Sequence, residues 1–217
     1  KERILNYACE LTRMQPYNLD IIDGNIVRLT DNRKLMTLGE LSTEALYSTS
    51  HSKHLTAETT SQIKSNAYSF GCTIAEVEVD IPMCRVTLLN IVNAHDAGTL
   101  INPALAEAQV HGGMSMGIGY GLSERLLFDE KTGRTLNNNL LDYKLSTFMD
   151  HPRLKAVFVE NPEPTSAFGT KALGEPPTCS VAPAIRNAVL HAVGVPVNEA
   201  PLNPHILFRR FTEEGLF

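Results

Sequence analysis

Gly71-Cys72-Thr73-Ile74-Ala75-Glu76-Val77-Glu78-Val79-Asp80 alternates along its second half. Ala75, Val77 and Val79 fall on one side, Glu76, Glu78 and Asp80 on the other. Successive side chains of a strand point to opposite faces, so Cys72 to Asp80 predicts a half-buried strand. Glu76 and Glu78 resemble a carboxylate pair, but a solvated strand face accounts for them as well. The turn Ile81-Pro82-Met83-Cys84 follows. Arg85 to Asn93 then predicts a second strand, apolar on both faces and therefore central.

Towards the N-terminus, residues 48–66 are rich in Ser, Thr and His and predict a surface loop. His51 and His54 lie three apart within it, a spacing for metal ligands only if the segment were helical. Thr37-Leu38-Gly39-Glu40 has the capping-box pattern and predicts a short helix to about Leu46. Before it, Leu19 to Ile22 and Ile26 to Leu29 flank Asp23-Gly24-Asn25, a strong hairpin signal. Ile4, Leu5, Ala8 and Leu11 repeat at helical spacing, and Pro16 is expected to end that first helix.

Towards the C-terminus, Asn102 and Pro103 suit the N-cap and first position of a helix running to about Leu122. Gly113, Gly117 and Gly121 share one face of it. Each glycine costs about 1 kcal/mol against Ala. Close packing by another helix, or approach of a flat ligand, would offset that. Leu126 to Phe128 and Leu136 to Leu141 flank Asp129 to Arg134 as a further hairpin candidate, and Leu154 to Val159 is a further strand. A loop covers Asn161 to Thr165. Val181, Ala184, Ile185, Ala188, Val189 and Ala192 form the apolar face of a last helix, with Ser180 as its N-cap and Gly194 as its stop. Pro196, Pro201 and Pro204 predict an extended tail. Mixed hairpins, sheets and helices make the fold class α+β. The expected parts are a helix–hairpin–helix unit over residues 1–65 and a second unit over 66–217.

The 217 residues are 43% hydrophobic and 20% charged, which fits a globular chain. The net charge of −5 without a Lys/Arg run argues against a nucleic-acid surface. No apolar run is long enough to span a membrane. Cys9, Cys72, Cys84 and Cys179 form no CxxC pair, so they are read as reduced thiols of a cytoplasmic protein. An iron–sulfur cluster or structural zinc within this chain is not expected. The first residue is Lys1, which fits a fragment or a processed subunit.

One segment stands apart: Gly169-Thr170-Lys171-Ala172-Leu173-Gly174-Glu175-Pro176-Pro177. A lone carboxylate sits between a glycine and two prolines, just ahead of a helix. Pro176 fixes its own φ and biases Glu175 towards extended backbone. A loop of this kind can hold one side chain in one place, as a general base requires. A tight turn with Glu175 facing water or the helix N-terminus explains the same residues.

Gly-Glu-Pro-Pro ahead of an alanine-rich helix resembles the signature of the xanthine oxidase family of molybdenum hydroxylases. Gly71 to Asp80, Gly98-Thr99-Leu100-Ile101-Asn102-Pro103, Gln109-Val110-His111-Gly112 and Asp142-Tyr143-Lys144 resemble that family in the same order. The resemblance spans about residues 66–195 and is nearest to molybdenum-binding subunits of bacterial xanthine dehydrogenases. It implies the C-terminal half of a molybdopterin-binding domain. It also implies a reaction that inserts water-derived oxygen into an electron-poor C–H bond, with Glu175 as the base. Gln109 and Gly174 are the implied contacts to a molybdenum–pterin cofactor, as molybdopterin or its cytosine dinucleotide form, and no side chain here is an implied metal ligand. The same resemblance gives the glycine face a ligand-side role. The family's glycine-rich cofactor loops and substrate-clamping Arg and Phe are absent from this sequence. Half a cofactor site is therefore expected, completed by an upstream molybdenum-binding segment, with iron–sulfur clusters and FAD on partner chains or domains; the chain alone is expected to be inactive. The implied substrate is a purine; aldehyde or nicotinate is the alternative within the family, and a non-catalytic interaction module is the alternative outside it. A homodimer is compatible with all three.

Overall fold

The computed structural model describes residues 1–217 apart from 61 and 63–65. The chain divides into two compact units, Lys1–Gln62 and Ile63–Phe217.

In the first unit, α1 (Glu2–Thr12) ends at Arg13, whose φ of 56° stops the helix three residues before Pro16. Strands β1 (Leu19–Ile22) and β2 (Asn25–Arg28) pair antiparallel around Asp23-Gly24. Both turn residues have positive φ, the geometry that matches strand twist in a two-residue hairpin. A third strand, β3 (Arg33–Thr37), completes a β1–β2–β3 sheet. Arg33-Lys34 gives it no alternation, so periodicity passed over it. Helix α2 (Leu38–Tyr47) carries the full capping box: Thr37 Oγ1 accepts the Glu40 N–H, and Glu40 accepts the Thr37 N–H. Tyr7, Ala8, Leu19, Ile26, Leu41 and Ala45 form the core. His51 and His54 lie outside any helix, and the His51 carbonyl accepts the Tyr7 hydroxyl at 2.9 Å.

The second unit is a three-stranded sheet with helices on one face. Strands β4 (Phe70–Asp80) and β5 (Arg85–Asp96) run antiparallel, and β6 (Leu154–Phe158) lies parallel to β5, which is central as expected. Ala75, Val77 and Val79 turn towards the core; Glu76, Glu78 and Asp80 are exposed. β5 departs from the sequence reading on one point: Leu89 is exposed, because the helices cover only the other face. Helices α3 (Pro103–Leu122), α5 (Val181–Val193) and α6 (Pro204–Glu213) supply Val110, Met114, Ile118, Val181, Ile185, Val189, Ile206, Leu207 and Phe211 to that core. Burying each such side chain contributes about 1.5–3 kcal/mol.

The glycine face of α3 is a helix-packing seam rather than a ligand surface. A Cβ on Gly113 would lie 2.8 Å from Pro177 Cβ, and one on Gly117 would lie 2.5 Å from Val181 Cβ. The expected extended tail is α6, because Pro204 sits at the first helical position, where its missing N–H costs nothing, and Asn203 caps the Ile206 N–H. The expected hairpin at 126–141 reduces to a single bridge, Phe128 to Thr135. Asn137 replaces the ladder there, accepting from the Leu127 N–H and donating to the Arg125 carbonyl. Ser180 precedes α5 without capping it, since its hydroxyl pairs with Thr73 Oγ1 at 2.6 Å. Ala192 is exposed, and Val193 packs on the core in its place. Among the described residues, no helix is long and apolar enough to cross a membrane.

Candidate functional site

The segment from Gly169 to Pro177 crosses the end of the sheet and enters the short helix α4 (Pro176–Cys179). Glu175 is the residue before that helix. Its backbone is right-handed helical, at φ −80° and ψ −33°, not extended as Pro176 led us to expect. The preference of a pre-proline residue is overridden because the Glu175 carbonyl begins the turn and accepts the Thr178 N–H at 2.9 Å. Pro176 and Pro177 occupy positions whose N–H groups have no helical partner, so they cost nothing there.

The three residues expected at the site come together. Gln109, on α3, donates from Nε2 to the Gly174 carbonyl at 3.2 Å, across 65 residues of sequence. Glu175 follows directly, and its side chain is exposed with no hydrogen bond or ion pair among the described residues. A Cβ on Gly174 would meet nothing within 4 Å, so open space lies against that peptide. Packing of α3 on α4 through Gly113 and Pro177 holds the two contributors at this spacing.

Several residues that periodicity did not single out hold the loop. The Thr99 N–H and the Glu163 N–H both donate to the Gly169 carbonyl at 3.0 Å, and the Lys171 N–H donates to the Ala97 carbonyl at 2.9 Å. Asn93, fully buried on β5, donates to the Pro177 carbonyl at 3.1 Å. Ser69 donates to the Ala172 carbonyl at 2.7 Å. Asp96 and Lys171 form a buried ion pair at 2.7 Å. Burial pushes the Asp96 carboxyl up, but Lys171, the Gly98 N–H and Asn161 outweigh it, and the group lies below the ordinary carboxylate range. His95 is buried beneath Gly71. Burial holds its pKa below the usual imidazole value, while the Ala172 backbone and Asp96 pull the other way. The sequence signal for this set was the His95-Asp96-x-Gly98 run beside a lone Lys171, legible only once the pairing was known.

Among the described residues, no three His, Cys, Asp or Glu side chains gather as a metal site. An amide donor, a bare glycine peptide and one free carboxylate suit an organic cofactor with hydrogen-bonding edges. A cavity of about 640 Å³ lined by Leu88, Ile118, Ser146 and His151 lies elsewhere and includes neither Gln109 nor Glu175.

Residues 1–152 match the molybdopterin cofactor-binding domain family. The whole chain is 46% identical over 217 residues to the xanthine dehydrogenase molybdenum-binding subunit of Escherichia coli O157:H7, of which it covers 29%. It is 32% identical over 135 residues to the aldehyde oxidoreductase molybdenum-binding subunit of Escherichia coli K12, covering 62% of this chain and 18% of that one. The crystal structure of quinoline 2-oxidoreductase from Pseudomonas putida 86 superposes with a TM-score of 0.82 at 27% identity, over 98% of this chain and 28% of the other. The chain thus spans less than a third of the length of these relatives.

Proposed function

The chain belongs to the molybdopterin cofactor-binding domain family, and on that premise we propose that it forms part of a molybdenum hydroxylase of the xanthine dehydrogenase type. The observation that carries the reading is the Gln109–Gly174 hydrogen bond, which brings the Gln109 amide to the open glycine peptide just before Glu175. When bound, the molybdenum–pterin group supplies a two-electron acceptor and the chemistry that activates water. The polar groups of Gln109 and Gly174 that this hydrogen bond leaves unused are the ones offered to that cofactor. Glu175 receives, on a carboxylate oxygen, the proton released as the water-derived oxygen attacks an electron-poor carbon. A positioned general base contributes roughly 10²- to 10⁴-fold to such a step.

The substrate under this reading is a purine, and the remaining cofactor contacts come from an upstream molybdenum-binding segment. Electrons leave through iron–sulfur and FAD subunits, in the cytoplasm, a setting in keeping with four free cysteines. The similarity to an aldehyde oxidoreductase subunit supports a second reading, the same chemistry on aldehydes.

The test is anaerobic reduction of the assembled enzyme by hypoxanthine and by an aromatic aldehyde, comparing wild type with Glu175→Gln at matched molybdenum content. The wild type is expected to be reduced by hypoxanthine and the variant to lose several orders of magnitude. Equal rates in the two proteins would remove Glu175 as the base. Reduction by the aldehyde alone would transfer the substrate assignment to the second reading.

A further inference from the structure

Four residues before Glu175, Lys171 carries its ammonium into the interior. Its side chain is 5% exposed and that of Asp96 is 7% exposed. Two ions at this depth lose most of their hydration, and mutual attraction repays the loss only if the geometry is good and the remaining polar valences are met. They are met here. Asp96 Oδ1 accepts the Gly98 N–H at 2.9 Å, and Oδ2 accepts Lys171 Nζ at 2.7 Å and Asn161 Nδ2 at 3.3 Å. The Lys171 ammonium also lies 6.0 Å from the Phe70 ring centre. Backbone bonds between Thr99 and Gly169, and between Lys171 and Ala97, bracket the pair.

A surface ion pair would contribute little and could be placed anywhere. This one ties the end of β5 to the loop that carries Glu175, with Asn161 and the Phe70 ring of β4 closing around it. The same strand grips that loop again beyond Glu175, through Asn93 and the Pro177 carbonyl. The carboxylate is thus suspended between two anchors of one rigid element, while its own side chain has no support among the described residues. From this arrangement, and resting on the assignment of Glu175 as base, we propose that the Asp96–Lys171 ion pair is the positioning device that sets Glu175 for proton transfer. Neither residue is offered as touching substrate or cofactor; both act through the backbone of residues 169–175.

The test uses the assembled enzyme and Lys171→Met, which keeps the volume of the arm and removes its charge. The limiting rate of substrate reduction is expected to fall on the order of 10- to 100-fold at matched molybdenum content, with the substrate Kd essentially unchanged. Amide exchange across residues 169–178 is expected to quicken about tenfold, a readout independent of turnover. A limiting rate within about twofold of wild type at matched molybdenum, a loss that tracks molybdenum content, or a Kd raised by the same factor as the rate falls would each overturn the proposal. Should Lys171→Met fail to assemble, Lys171→Arg applies the same criteria: it keeps the charge, alters the reach, and is expected to slow reduction about fivefold. Glu175→Gln is measured alongside. If it retains the wild-type rate, the base assignment has failed, whereas the exchange measurement still reports whether the pair holds the loop.

Discussion

Residues 124–153 and the run from 159 into α4 both carry local turns, but only the second is also tied at several points to distant residues. The first stretch is tied mostly to itself. Asp129 accepts from Lys131, Thr132 N and Thr132 Oγ1; Asn139 accepts from Leu141 and Asp142; Asp150 accepts from Thr147. Its apolar side chains face outward, with Phe148 98% and Met149 92% exposed. The second stretch is tied to distant residues: Asn93, Asp96, Ala97, Thr99, Gln109 and Ser69. Local Asx and ST turns fix a backbone's shape but not its place. Long-range bonds fix its place, which is what the base proposed at Glu175 needs.

Three substitutions would break or sharpen this contrast, beyond those already given. The largest effect is expected at Gly98, where φ is +68° and a Cβ would lie 2.2 Å from the Gly169 carbonyl oxygen. Gly98→Ala adds left-handed strain to overpacking and should cost about 3 kcal/mol of unfolding free energy, with a parallel loss of substrate reduction. Urea unfolding and single-turnover reduction check it; a variant as stable and fast as wild type would show that the loop is not clamped there.

An intermediate effect is expected with pH. His95 has a folded pKa below its ordinary 6.5, so the unfolded chain binds the proton first. The stability this residue contributes is present above pH 6.5 and is lost as pH falls from there towards the folded value. Asp96, held below 3.8, contributes stability that is present above that value and lost as pH falls further. His95→Gln should remove the first decline and leave the second, as measured by melting temperature from pH 7.5 to 3; an unchanged profile would exclude His95 as its source. The smallest effect is expected in the self-tied stretch. Asn137→Ala removes two hydrogen bonds of a buried amide and should cost about 1–2 kcal/mol, with the reduction rate retained. If it slows reduction as much as Gly98→Ala does, the contrast between the stretches fails.

The elements with one strong local signal were legible in the sequence. Alternation marked β4, the Asp23-Gly24 turn marked β1 and β2, N-caps marked α2 and α3, and spacing with the Gly194 stop marked α5. Elements whose stability comes from a neighbour were not. β3 forms because β2 offers it an edge, and α6 because the core accepts Ile206, Leu207 and Phe211 behind a proline that reads as a breaker. At the site, Glu175, Gln109 and Gly174 came from the likeness of several motifs in order, and their proximity appeared only in the fold. Asp96 and Lys171 carry no local signal, because 75 residues separate the two partners.

The bare seam between α3 and α4 has a practical reading for anyone altering this protein. Gly113 stands on the same helix as Gln109 and touches Pro177, two positions beyond Glu175. A methyl group added there must be absorbed by sliding one helix against the other, since proline has little freedom to yield. Gly113 therefore sets how closely α3 approaches α4, and with it how closely Gln109 approaches the Gly174 peptide.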